Sequence, residues 1–154
     1  MVHRAAVATL VLTLGLTLAA QQNGDSDKGE QLLNASCISC HDLRPIETSA
    51  LDKDGWTKNV NAMIEKGADV RAEDRPVLID YLVKTHGPLP DGRGKDIVLN
   101  VCTMCHTLQR VRGLHGDRDQ WEEVLGTMLN EGAPLTEQDF PVVLNYLARN
   151  FGAQ

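Results

Sequence analysis

The sequence predicts an all-α chain built from two copies of one small three-helix unit. Shifted by 65 residues, the chain matches itself without a gap from Gly29–Gly87 onto Gly94–Gly152. Within each copy, apolar residues recur at helical spacing. No stretch sustains the apolar–polar alternation of a half-buried strand.

The first twenty residues are set apart from this plan. Met1-Val2-His3-Arg4 is a short positive start, Ala5 to Ala20 is uncharged and largely apolar, and Gln21 to Asp25 turns polar. This is the pattern of a secretory signal peptide over residues 1–20, cleaved near Ala19 or Ala20. An uncleaved anchor is the alternative, but 16 residues fall short of the ~20 that span a bilayer. After cleavage no stable membrane insertion is expected. Residues 21–87 then form module 1, residues 88–92 a linker stiffened by Pro88 and Pro90, and residues 93–154 module 2.

Each module reads as three helices. The first runs near 28–36 and places Leu32 and Leu33 ahead of a cysteine pair; Ile97, Val98 and Val101 do so in the second copy. The second is expected to start at Asp54 or Asp119, residues suited to capping. Its apolar stripe is Trp56, Val60, Met63 and Ile64, repeated as Trp121, Leu125, Met128 and Leu129. Gly67 and Gly132 mark its end. The third runs from about Pro76 or Pro141 to Gly87 or Gly152.

Aromatic residues make up 4% of the chain, so a unit of about 60 residues would bury little apolar surface and needs a staple. Removing residues 1–20 takes away one arginine and no acid, which leaves 14 Lys and Arg against 21 Asp and Glu, a formal −7. Such a surface argues against a nucleic-acid partner.

The chemistry lies in Cys37-Ile38-Ser39-Cys40-His41 and Cys102-Thr103-Met104-Cys105-His106. Both are Cys-x-x-Cys-His, the signature of covalent c-type haem attachment. Cysteines three apart on a helical turn can reach the two vinyl groups of one porphyrin, and the next residue is placed to ligate the iron. Two haem c groups are expected, held through Cys37, Cys40, Cys102 and Cys105, with His41 and His106 as proximal ligands. A zinc site would bring its cysteine pairs within ~15–20 residues, whereas Cys40 and Cys102 are 62 apart. A thioredoxin-like pair would want a βαβ context, and none is read here.

On these residues the chain resembles a tandem of small class I-type cytochrome c modules over nearly all of residues 26–152. The Trp-x-x-x-(Val/Leu)-x-x-Met-x-x-x-Gly-Ala segment is also similar to the haem-binding region of quinohaemoprotein amine dehydrogenases. The resemblance implies two modules each wrapped around a haem. It also implies that a first-helix glycine, Gly29 or Gly94, is crossed closely by the helix carrying Tyr81-Leu82 or Tyr146-Leu147.

The sixth iron ligand is less direct. Met63 and Met128 are the only methionines at matched positions, 22 residues after their proximal histidines, and repetition makes them the candidate distal ligands. The family's usual distal methionine lies on a later loop. A pair of core methionines, bis-histidine ligation by His86 or His115, and an open iron stay as alternatives. Trp56 and Trp121 fit either core packing or a propionate contact, and Arg44 and Arg110 fit either a propionate or solvent.

The expected function is single-electron transfer in the periplasm, not catalysis. The donor would be a dehydrogenase or quinol-linked complex and the acceptor a cytochrome or oxidase. A haem enzyme or ligand sensor with one open iron, and an obligate subunit of a quinoprotein dehydrogenase, are the alternatives.

Overall fold

A computed structural model describes residues 24–153; the expected signal peptide lies outside them. Among the described residues the chain is helical throughout and has no strand. In chain order the helices are α1 (residues 24–36), α2 (Arg44–Glu47), α3 (Lys53–Glu65), α4 (Arg75–His86), α5 (Lys95–Val101), α6 (Gln109–Gly113), α7 (Arg118–Asn130) and α8 (Phe140–Asn150). A 3-10 turn over Cys102–Met104 continues α5. Each copy thus holds three main helices and an additional short one, α2 or α6. A one- to two-turn helix shows no periodicity in sequence, so these were not expected.

The chain divides into two compact units. The first comprises the described residues up to Asp42 with Asp52–Thr85; the second comprises Leu43–Leu51 with the described residues from His86 onward. The stretch that follows the first cysteine motif therefore belongs to the second unit, as does 88–92, read from sequence as a linker. Leu89 is only 2% exposed and sits within the second core.

In the first unit Leu33 of α1, Trp56 and Val60 of α3, and Leu78, Ile79 and Leu82 of α4 are buried. Gly29 is buried in α1, and a Cβ built on it would lie 2.3 Å from Cβ of Tyr81. The expected crossing of these two helices is therefore present. Asp74, just ahead of α4, is buried as a carboxylate between cations. Lys28 Nζ lies 2.6 Å from its Oδ1, and Arg71 Nη2 lies 2.7 Å from its Oδ2.

The second core gathers Val98 of α5, Trp121 and Leu125 of α7, and Val143, Leu144, Tyr146 and Leu147 of α8. Phe151 meets Trp121 and Tyr146 edge-on, with ring centroids 6.5 and 6.4 Å apart, an arrangement worth about 0.5–1.5 kcal/mol per pair beyond burial. Trp121 Nε1 donates to the Phe151 carbonyl at 2.9 Å, so this indole is a core group and its N–H is already used. Trp56 is likewise buried, 1% exposed. Gly94 is close to Tyr146, with 2.7 Å from an added Cβ to the tyrosine Cβ. It stands at the N-cap of α5 at φ 107°, not inside the helix as expected.

The two long middle helices start two residues earlier than expected. The caps are Asp52, which accepts from Gly55 N–H, and Asp117, which forms a capping box with Gln120. Asp54 and Asp119 lie in the first turn instead, where a carboxylate complements the helix dipole. The ends agree with the glycine reading. Gly67 and Gly132 adopt φ 104° and 93°. Gly67 N–H donates to Ile64 and Ala68 N–H to Met63; Gly132 N–H donates to Leu129 and Ala133 N–H to Met128. This paired pattern is a Schellman stop.

Candidate functional site

The two cysteine motifs sit where the first helix of each copy ends. In the first unit α1 closes with Cys37 N–H donating to the Leu33 carbonyl at 3.0 Å, and Cys40 and His41 follow in an exposed turn. In the second unit α5 tightens into the 3-10 turn over Cys102–Met104, and Cys105 and His106 follow. The outcome is alike in both. The leading cysteine, Cys37 or Cys102, is half-buried, and the second, Cys40 or Cys105, is exposed. All four thiols are free. Burial pushes the Cys37 and Cys102 thiols up from their usual range, so at pH 7 both are neutral S–H groups and not thiolates.

The histidines share a geometry that sequence reading missed. His41 Nδ1 lies 2.6 Å from the carbonyl of Asp42, and His106 Nδ1 lies 3.1 Å from the carbonyl of Thr107. A carbonyl only accepts, so Nδ1 carries the proton in both rings. The lone pair is then on Nε2, the arrangement in which a neutral imidazole ligates a metal. No sequence signal could have shown this, because any residue after histidine offers a carbonyl and only the local fold brings it round.

Met63 and Met128 lie on α3 and α7 at the third position before the C-cap, and both are half-buried. In the same stripes Trp56, Val60, Trp121 and Leu125 are buried. The apolar face therefore rises to the surface at its C-terminal end, where Leu129 is 39% exposed. A methionine placed there is not sealed in the core, and the protein's own packing leaves apolar surface beside it. The Schellman bond to the Met63 or Met128 carbonyl fixes the backbone at both sites.

The other sequence candidates are placed elsewhere. His86 is buried in the second unit, and the Gln109 side-chain amide lies 3.2 Å from its Nε2. Burial, aided by the Arg112 charge, holds its pKa below the usual range. Its Nε2 lone pair is thus engaged by an amide donor. His115 and Arg110 are exposed. Arg44 is exposed too, and its Nη2 donates to the carbonyls of Thr103 and Met104 at 3.3 and 3.1 Å.

The residues fit a haem in chemical kind. Each unit offers two thiols three residues apart and outside any disulfide, an imidazole whose backbone bond is made through Nδ1 and not Nε2, and a half-buried thioether on a part-uncovered apolar face. Among the described residues no group of three or more His, Cys, Asp and Glu side chains gathers as a metal cage. A porphyrin iron needs none, since it takes only its axial ligands from the protein.

No known family model matches the chain, and no curated protein matches it. Among the described residues no helix is long and apolar enough to cross a membrane.

Proposed function

We propose that this chain is a periplasmic dihaem c-type cytochrome that passes single electrons between redox proteins. The observation that carries the reading is the repeated Cys-x-x-Cys-His in which both histidines donate from Nδ1 to the next carbonyl, which leaves the Nε2 lone pair for a metal. Cys37 and Cys40 would hold one haem c and Cys102 and Cys105 the other, with His41 and His106 as proximal ligands and Met63 and Met128 as distal ones. In this reading each unit is a small cytochrome c-like module, and the haem is the staple that its sparse aromatic content calls for. The bound haem supplies a reversible ferric–ferrous couple. The chain supplies the ligands, the apolar wall and the burial that set the potential.

The donor class is a dehydrogenase or quinol-linked complex and the acceptor class a cytochrome or oxidase. The acidic surface favours partners with basic docking faces. A redox titration of the protein made with a c-haem maturation system, followed by absorption in both oxidation states, tests the reading. Two one-electron steps with low-spin spectra are expected. A high-spin ferric spectrum at one centre would move that centre from relay to ligand chemistry, and a chain without haem absorption would overturn the reading.

A further inference from the structure

The two motifs are alike in sequence but not in how they are supported. Helix α5 and its 3-10 extension end at Met104, so the carbonyls at that end have no partner further along the helix. Arg44 supplies one: its Nη2 reaches both the Thr103 and the Met104 carbonyl. A cation at a helix C-terminus is also favoured by the helix dipole. The stretch carrying Arg44 is anchored at two further points. Ile46 is buried, 8% exposed, and the Glu47 carbonyl accepts from Leu108 N–H at 3.1 Å. Arg44 therefore contacts the motif itself, at residues 103 and 104, and Glu47 holds residue 108 just beyond it, both from α2. The copy-two counterpart of Arg44 is Gln109, whose amide lies on His86 instead.

We propose that Arg44 is a positioning residue for the second attachment motif, capping the Thr103 and Met104 carbonyls so that Cys102, Cys105 and His106 are presented in the turn that receives a haem. The assignment rests on the haem reading above. Its consequence is that the second site is incomplete without a segment of the first repeat. Each thioether forms when a thiol S–H adds across a vinyl C=C, sulfur to one carbon and hydrogen to the other. No oxidant is consumed, so the step depends on how the two thiols are held.

The test uses the full chain made with a c-haem maturation system. Haem occupancy is read at each motif separately by peptide mass mapping. Arg44→Met keeps the apolar stem and removes the donors. It should lower occupancy at Cys102/Cys105 roughly fivefold, the factor expected for loss of one ordinary exposed hydrogen-bond contribution, and leave Cys37/Cys40 at the parent level. Both bonds come from one nitrogen, so Arg44→Lys should restore most of the loss. Arg118→Met, which removes the same charge from the same unit, should leave both motifs loaded. In the chain made without haem, Arg44→Met should also raise the alkylation rate of Cys102 relative to Cys37. Full occupancy of both motifs in Arg44→Met, or an equal fall at both, would overturn the assignment of Arg44 while leaving the haem reading intact. A parent chain with no haem at either motif would overturn the haem reading and this assignment with it.

Discussion

Gly29 and Tyr81 touch where α1 crosses α4, so closely that a Cβ on the glycine would stand 2.3 Å from Cβ and 2.6 Å from Cγ of the tyrosine. The tyrosine Cβ is fixed by the backbone, so no side-chain rotation relieves the 2.3 Å overlap and the helices themselves must move apart. Overpacking of this kind costs about 1–3 kcal/mol. Gly29→Ala should therefore lower the melting temperature by several degrees in a circular-dichroism melt. Gly24→Ala, where nothing lies within 4 Å, should not. Gly94→Ala adds a left-handed φ of 107° to a 2.7 Å approach and should be at least as damaging. Equal melting temperatures for Gly29→Ala and Gly24→Ala would argue against tight packing at this crossing.

Each haem should depend on its own motif. The thiols of one pair lie three residues apart on a turn that also sets the histidine, and the other pair is on a separate element. Intact-mass measurement of the parent should show two haem additions. The Cys37→Ala/Cys40→Ala variant should show one, located by peptide mapping at Cys102 and Cys105. The converse variant should keep only the first. Two additions surviving in either variant would show that attachment does not run through these thiols.

What was legible in the sequence follows the range of the interaction that fixes it. Trp56, Val60, Trp121 and Leu125 could be assigned to the core because burial on a long helix leaves a period. Gly67 and Gly132 could be read as stops because the Schellman turn needs a left-handed residue. The caps at Asp52 and Asp117 were missed by two residues. Asp54 and Asp119 are equally good cap types, and only the bonds to Gly55 and Gln120 separate them. The cysteine motifs and their histidines were plain from spacing. The contact of Arg44 with residues 59 and 60 positions away leaves no local trace, and neither does the move of α2 into the second unit. The repeat suggested two modules built on the same plan. The unmatched pairs Arg44/Gln109 and His86/Phe151 are among the places where the copies diverge, and both bear on the second unit.

Asp74 should make the first unit sensitive to acid. The hydrogen bond from Lys28 is the main cause holding its carboxyl below the usual carboxylate range, with Arg71 adding to it against the opposing cost of burial. A folded-state pKa below the unfolded one means that the unfolded chain binds the proton more readily. The stabilisation is then complete above the unfolded value of ~3.9 and is lost as pH falls through the folded value. Asp74→Asn should lower the melting temperature at pH 7, and the gap to the parent should close as the pH is taken below ~4. Asp139→Asn, at the matched position, should have little effect, because Asp139 Oδ2 accepts from the Thr136 hydroxyl and an amide oxygen can do the same. A gap between parent and Asp74→Asn that stays constant from neutral to acid pH would sink the ion-pair account.

Met63 and Met128 should be the distal ligands of their own haems. They recur at the same offset from the proximal histidine, at the third position before the C-cap of a helix that ends in a Schellman stop, and both are half-buried at the end of a stripe whose earlier members, Trp56, Val60, Trp121 and Leu125, are sealed. Thioether sulfur favours ferrous iron and raises the potential relative to two imidazoles. The ferric protein should therefore show the weak near-infrared sulfur-to-iron charge-transfer band. Met63→Ala should remove one haem's share of that band and lower that haem's potential, with the other nearly unchanged; Met128→Ala should do the converse. Substitution of His86, whose Nε2 faces the Gln109 amide, should leave the band in place. If both methionine variants keep the full band and lose only thermal stability, the two side chains are packing residues and the distal ligands must be sought elsewhere.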